Sequence, residues 1–345
     1  MSAGKKNTAI LLTPRTMAAI AVIRLQGSGI REFLKYFSRP VLPGRAVHGE
    51  LRDGDKILDD PVIVAGTNFS FIDINVHGGM WVIDSVLDLA RRNGFEFVEN
   101  SFQPNTFAEA DSILQREMLA SLPLAKTELG IAALLAQPDA WRKFESSPEG
   151  IQKILNDRAL WWLLHPPRVA IVGEANVGKS TLANRLFAQE RSITADMPGT
   201  TRDWVGEIAD LHGLAILLVD TPGLRTSEDQ IEQAAIAASR VQIQQADLVI
   251  HVLDATRAPQ VKMSWPDSIV VMNKSDQTPG WKPDQPFLPL SAKTDEGVAN
   301  LESAIHARFG LPIQIDQPRW WTERQRGILQ RVISDPNAIS EMLVR

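Results

Sequence analysis

The chain has no cysteine, so it forms no disulfide, carries no thiol nucleophile and holds no metal through thiolates, a composition that fits a reducing compartment. It also lacks any apolar run approaching the ~18 to 20 residues of a membrane span. The run from Asn7 to Leu12 is interrupted by Pro14-Arg15 before it reaches signal-peptide length. The expectation is a cytoplasmic protein with no membrane contact. Positive charge is not in excess: the formal net charge of -5 argues against a generally basic, nucleic-acid-coating surface and leaves room only for a local patch. The six histidines are scattered, with no pair at helical metal-ligand spacing, and read as surface or core residues with His77 as the exception. There is no internal repeat or low-complexity segment. What is present is 345 residues of 44% apolar content, enough for a sizeable core and about two or three domains.

One segment carries an explicit chemical signature. Gly173-Glu174-Ala175-Asn176-Val177-Gly178-Lys179-Ser180-Thr181 fits the phosphate-loop pattern G-x-x-x-x-G-K-[ST]. Upstream, Arg168 to Val172 reads as a buried parallel strand, and from Ser180 to Gln189 the positions Leu182, Leu186 and Phe187 have helical spacing. In that context the glycines let backbone N–H groups turn around phosphates. Lys179 supplies charge to the β and γ oxygens, and Ser180 offers a hydroxyl to Mg²⁺.

Three further elements follow in the order that a guanine-nucleotide fold requires. Leu214 to Val219 reads as a strand ending in Asp220-Thr221-Pro222-Gly223, where the carboxylate can reach Mg²⁺ through water and the Gly223 N–H can sense a γ-phosphate. Ser268 to Met272 leads into Asn273-Lys274-Ser275-Asp276, and the Asp276 carboxylate can accept from guanine N1–H and its exocyclic amine. Phe287 to Leu290 precedes Ser291-Ala292-Lys293, whose backbone can contact the guanine O6. Between the loop and Asp220, Gly199-Thr200-Thr201-Arg202-Asp203 reads as a switch in which Thr201 would add a hydroxyl to Mg²⁺; an ordinary loop is the plainer alternative. Leu224 follows Gly223 where Ras-like enzymes carry a water-orienting glutamine. Glu232 is the candidate for that role, and equally a helix-surface carboxylate.

The fold class expected is an α/β P-loop G domain inserted in a helical domain and preceded by a small α+β domain. The boundaries are 1–100 for the α+β domain, 101–165 with 311–345 for the helical domain, and 166–310 for the G domain. In the first part Ala18 to Leu25, His48 to Arg52 and Pro61 to Ala65 read as strands and Trp81 to Arg92 as a helix. Helical periodicity from Gln103 to Leu164 predicts a helical stalk, ended by Pro166-Pro167. Helical character returns from Trp320 to Arg331 and near the C-terminus. The pairs Trp161-Trp162 and Trp320-Trp321 read as a core between entering and leaving helices, or as base-stacking surfaces. Arg319, Arg324, Arg326 and Arg331 read as a solvated helix face or a nucleic-acid contact.

The motif set, in particular Gly199-Thr200-Thr201-Arg202-Asp203 with Asp220-Thr221-Pro222-Gly223-Leu224-Arg225, resembles the MnmE/TrmE family of tRNA-modifying GTPases. Val22-Ile23-Arg24-Leu25 with Gly27, and His77-Gly78-Gly79, are similar to the family's N-terminal domain, which binds a tetrahydrofolate derivative. The resemblance implies GTP and GDP contacts from Asn176, Val177, Gly178, Lys179, Ser180 and Thr181. It extends these to Ala195, Asp196, Met197, Pro198, Gly199, Thr200 and Thr201, to Asp220 through Gly223, and to the two guanine elements. It implies K⁺ held by Asn176, Thr200 and the backbone at Ala195 and Met197, and Mg²⁺ held by Ser180 and Thr201. Catalysis would rest on Lys179, Thr201 and Glu232, with G domains pairing in a homodimer. The partners implied are tRNA, modified at the wobble uridine, and a flavoprotein.

The family's C-x-G-K motif has no counterpart in a chain without cysteine, and Thr16-Met17-Ala18-Ala19 stands where the family has a glycine cluster. A second reading is therefore a regulatory GTPase switch without tRNA-modifying chemistry. In a third, the N-terminal domain serves only as a dimerisation module.

Overall fold

The computed structural model describes residues 6–13, 15, 18–98, 107, 110–187, 206–219, 243–260, 265 and 267–343. They fall into two compact units, one holding the described residues up to Pro123 and the other those from Leu124 to Met342.

The first unit is built on a six-stranded sheet. Its strands are β1 (Thr8–Leu11), β2 (Ile20–Gln26), β3 (Ala46–His48), β6 (Val62–Ala65), β7 (Phe71–His77) and β8 (Glu96–Val98), in the order β3-β6-β7-β2-β1-β8. β4 (Leu51–Asp53) and β5 (Lys56–Asp59) form a separate hairpin. In β7 the residues Ile72, Ile74 and Val76 are buried while their neighbours are not, the period-two pattern of a sheet with one face on a core. Helix α2 (Met80–Arg92) covers that face with Ile83, Val86, Leu89 and Ala90, all fully buried. A short α1 (Ile30–Phe33) adds Phe33, edge-on to Phe95 at 6.0 Å. Arg24 of β2 is buried and donates through Nε and Nη2 to the two Asp73 carboxylate oxygens at 2.7 and 2.8 Å, with its guanidinium carbon 4.0 Å from the Phe71 ring centroid. Gly78 is confined to glycine by contact: a Cβ there would lie 2.2 Å from the Ala18 carbonyl oxygen. The expected strands and helix lie close to their predicted positions. β1, β5, β7 and β8 add to them, and His48 to Arg52 is split at Gly49 into β3 and β4.

The expectation of a helical stalk is corrected. Residues 113–164 form five short helices, α3 (Ile113–Ser121), α4 (Glu128–Leu135), α5 (Gln137–Lys143), α6 (Pro148–Asn156) and α7 (Ala159–Leu164). The chain is cut by its own capping chemistry. The hydroxyls of Ser112, Thr127 and Ser147 each accept from a backbone N–H three residues on, at 3.1, 3.2 and 3.1 Å. Pro138 and Pro148 stand in first turns, where their missing N–H costs nothing.

In the second unit, β9 (Arg168–Val172), β10 (Gly206–Leu211), β11 (Leu214–Val219), β12 (Leu248–Asp254), β13 (Ile269–Asn273) and β14 (Leu288–Pro289) form a sheet in the order β10-β11-β9-β12-β13-β14. Only β10 and β11 pair antiparallel. Val169 to Val172 and most of β12 are buried, the signature of parallel strands covered on both faces. The helices α8 (Lys179–Phe187) and α9 (Val298–Arg308) belong to this unit. β9 lies between β11 and β12, so the order reverses beside it, and the crevice at the carboxyl ends of such strands is where ligands bind. The β10–β11 turn is held from outside the sheet: Thr127 Oγ1 donates to the Gly213 carbonyl at 2.8 Å, and a His306 ring nitrogen lies 2.7 Å from the Leu211 oxygen.

Segments on either side of the sheet in sequence pack together. Trp161 meets Trp320 at 5.6 Å between ring centroids, and Trp162 meets Phe309 at 5.3 Å. Trp320 and Trp321 are fully buried, which favours the core reading of that pair over base stacking. The arginines beyond them have local acceptors. Arg319 pairs with Asp157 at 2.8 Å, Arg331 with Glu341 at 2.6 Å and Arg326 with Glu323 at 3.5 Å, and Arg324 donates to the Glu341 carbonyl. These sit on or beside α10 (Glu323–Val332), followed by α11 (Ser340–Leu343). No helix among the described residues is long and apolar enough to cross a membrane.

Candidate functional site

The phosphate loop joins β9 to the first turn of α8. Its backbone is set by two glycines. Gly173 has φ +154 and a Cβ there would fall 2.3 Å from the Val252 oxygen; Gly178 has φ +96 and a Cβ would fall 2.2 Å from Asn273 Nδ2. Any side chain at either place would push the loop off its neighbours. Asn176, at φ 63, adopts the left-handed region that asparagine tolerates better than most residues. Val177 is buried and anchors the turn, whereas Asn176, Ser180 and Thr181 are exposed. Lys179 Nζ donates to the carbonyls of Gly173 at 3.0 Å and Glu174 at 2.8 Å, which holds the ammonium over the loop. Phosphate oxygens are charged and hence stronger acceptors than carbonyls.

The guanine elements are joined to this loop by side-chain bonds. Asn273 is buried at the end of β13; its Nδ2 donates to the Val177 carbonyl at 2.8 Å and its Oδ1 accepts from Ala292 N–H at 2.9 Å. Lys274, at φ 66, donates to the Asn176 carbonyl at 3.0 Å and to Asp254 Oδ2 at 2.5 Å. Ser275 N–H donates to the Leu290 carbonyl at 3.1 Å. Ser291 is buried and its Oγ accepts from Thr294 N–H at 3.2 Å, while Lys293 is exposed. The Asp276 carboxylate is exposed. The structure thus brings together Asn176 to Thr181, Asn273 to Asp276 and Ser291 to Lys293. The remaining predicted residues, Ala195, Asp196, Met197, Pro198, Gly199, Thr200, Thr201, Asp220, Thr221, Pro222, Gly223 and Glu232, lie outside the described residues, as does Leu224.

Several contributors escaped the sequence reading. Asp254 ends β12 and receives Lys274 Nζ, Thr256 N–H at 2.9 Å and Thr256 Oγ1 at 2.6 Å. Burial alone would raise its carboxyl, but the bonds from Lys274 and Thr256 outweigh that and hold it below the usual carboxylate value. The available signal was the apolar run Leu248 to Leu253 ending in an acid, the same strand-then-carboxylate pattern as Asp220. Arg185 of α8 donates to the Ala292 and Lys293 carbonyls at 3.2 and 3.3 Å, and Arg257 donates to the Ala175 carbonyl at 3.1 Å. Inside β12, burial pushes the His251 pKa down, and only the Glu174 charge opposes this.

A phosphate loop and the Asn273 to Asp276 and Ser291 to Lys293 segments, gathered at the carboxyl ends of a largely parallel sheet, make a G domain. The family described as 50S ribosome-binding GTPase matches residues 168–275. Similarity extends well beyond that span. The tRNA modification GTPase MnmE of Akkermansia muciniphila is 33% identical over 371 residues, covering 90% of this chain and 82% of that protein. MnmE of Nitratidesulfovibrio vulgaris is 30% identical over 367 residues, covering 87% and 80%. That of Thermus thermophilus is 28% identical over 351 residues, covering 86% and 80%. Among solved structures, Era in complex with MgGDPNP and ribosomal RNA aligns over 40% of this chain and 55% of that one at 27% identity, with a TM-score of 0.32. The protein binds and hydrolyses GTP, and the chain belongs to the MnmE family of tRNA modification GTPases.

Proposed function

We propose that this chain hydrolyses GTP with the help of a potassium ion and acts in modification of the tRNA wobble uridine with a flavoprotein partner. The observation that carries the potassium reading is Asn176. It is exposed at the crest of the phosphate loop, and its backbone is fixed in the left-handed region with its carbonyl bonded to Lys274 at 3.0 Å. An exposed amide on a fixed backbone suits a monovalent cation. Thr200 and the backbone at Ala195 and Met197 would complete the ligand set, as the family resemblance implies. The ion, when bound, supplies the positive charge that an arginine finger supplies in other GTPases.

P-loop GTPases in general require Mg²⁺. In this chain Ser180, exposed in the first turn of α8, would hold it together with Thr201. Lys179 would exchange its two carbonyl acceptors for phosphate oxygens and stabilise charge as the γ-phosphate leaves. Glu232 would orient the attacking water in place of a glutamine, since Leu224 has no group able to do so. The G domains would pair in a homodimer, and the N-terminal α+β domain would take a tetrahydrofolate derivative. The contacts of Trp161, Asp157 and Trp141 with residues 319–320 support a G domain inserted between two helical segments. A cytoplasmic setting fits this role.

The test is GTP turnover in potassium chloride against sodium chloride at equal ionic strength, with Asn176→Ala beside the unaltered chain. Potassium stimulation that is lost in the variant is expected; equal rates in the two salts would sink the potassium reading. Mass spectrometry of wobble uridines from a deletion strain tests the second half, and unchanged nucleosides would leave the regulatory switch as the surviving reading.

A further inference from the structure

We infer that the N-terminal unit carries a transition-metal site, formed by Asp59, Asp60 and His77 at one end of its sheet and independent of the nucleotide site. The strand register brings the three together. Val62, the first residue of β6, pairs with Asn75 of β7 on one side and His48 of β3 on the other. Residues just before Val62 and just after Asn75 therefore reach the same edge. Gly49 N–H donates to the Pro61 carbonyl at 3.2 Å and closes the corner.

The donors are already converged. One ligand atom from each of Asp59, Asp60 and His77 lies within 4.8 Å of the other two. His77 Nδ1 is 2.7 Å from Asp59 Oδ1 and 3.7 Å from Asp60 Oδ1. Bonds of about 2.0–2.2 Å from Zn²⁺ to nitrogen and oxygen place ligand atoms roughly 3 to 4 Å apart, so a small adjustment admits the ion. Asp59 is held in place for this purpose: its side chain is 7% exposed, and its Oδ2 accepts the His77 backbone N–H at 2.8 Å, which turns Oδ1 toward the imidazole. A fourth donor stands nearby, since His48 Nε2 lies 3.3 Å from Asp60 Oδ2. Nitrogen from imidazole with carboxylate oxygens selects a borderline divalent ion such as Zn²⁺, Co²⁺ or Ni²⁺ over Mg²⁺, which prefers an all-oxygen shell. Three protein ligands leave a position open to water or to His48.

The test is calorimetric titration of the nucleotide-free full chain with Zn²⁺, followed by visible absorption with Co²⁺, whose d–d bands report nitrogen and oxygen ligation. His77→Ala and Asp60→Asn are the informative variants, because both side chains are more than half exposed and fold stability does not depend on burying them. One Zn²⁺ per chain is expected, with affinity falling about tenfold or more in each variant and circular dichroism unchanged. Failure to bind Zn²⁺, or affinity unaltered in both variants, overturns the proposal. Neither outcome touches GTP hydrolysis, so it fails or stands apart from the potassium reading.

Discussion

The side-chain amide of Asn273 donates to the carbonyl of Val177 at 2.8 Å, which ties the guanine element to the phosphate loop from within the protein. The same side chain accepts from Ala292 N–H, so one buried residue sets the spacing of three loops. Asn273→Ala strands a buried carbonyl and a buried N–H. Leaving such groups unpaired costs about 1–3 kcal/mol each. Much of that will appear as lost nucleotide affinity, because the loops are held for the ligand. Titration with a fluorescent guanine nucleotide should show binding weakened by roughly 30-fold or more. An affinity within about twofold of the unaltered chain would show that the loops hold their spacing without this residue.

Asp276 is exposed, and in the reading proposed above its carboxylate, which only accepts hydrogen bonds, would read the base. Asp276→Asn replaces one acceptor with a donor. Guanine then meets its amine or N1–H with an N–H group, whereas xanthine, which carries a carbonyl in place of the amine, becomes complementary. Competition binding should show GTP weakened by roughly 100-fold and xanthosine triphosphate strengthened over the unaltered chain, in keeping with the large discrimination of polar sites. Unchanged preference would remove Asp276 from base recognition.

Much of this site was legible in the sequence because its geometry is local. A loop of fixed length between a strand and a helix places Asn176, Lys179 and Ser180 by chain connectivity alone. Asp254 was not legible in that way: its role depends on Lys274, which reaches it across paired strands, and no spacing in sequence announces such a contact. The helices between 113 and 164 were misread as a stalk for a related reason. Apolar periodicity persists across a break, while the capping hydroxyls of Thr127 and Ser147 mark where the breaks fall. The Asp59, Asp60 and His77 cluster depends on strand register, which separates its members by a whole strand in sequence.

Acid should destabilise the second unit in two steps with opposite chemical origins. His251 is buried, and its folded pKa lies below the ordinary value of about 6.5, so the unfolded chain takes up a proton that the folded chain resists. Stability is therefore lost as pH falls through about 6.5. Asp254 has a depressed folded pKa, so its contribution is present above the unfolded carboxylate value near 3.9 and is lost as pH falls from there toward the folded value. Urea unfolding as a function of pH should show both limbs. His251→Gln should flatten the upper one and Asp254→Asn the lower; a profile unaltered by either substitution would contradict both assignments.

Arg319 joins the helices that precede the G-domain strands to the segment that follows them. Its guanidinium, 8% exposed, bonds Asp157 at 2.8 Å and the Gln314 carbonyl at 2.5 Å, its N–H donates to Gln137 Oε1 at 2.7 Å, and its carbonyl accepts from Trp141 Nε1 at 3.0 Å. Arg319 is buried and Asp157 only partly so; such a pair gains little over an apolar replacement, because desolvation offsets the attraction, yet removing Asp157 leaves the guanidinium with carbonyl acceptors and no counter-charge. Asp157→Ala should therefore destabilise by about 1–3 kcal/mol, the cost of leaving a buried polar group short of a partner. The double variant Arg319→Met with Asp157→Leu should recover most of that loss, since it removes both charges and keeps the volume. Urea denaturation of the single and double variants distinguishes the cases: equal destabilisation in both would mean that the bonds to Gln314 and Asp157, and not the unpaired charge, hold these segments together.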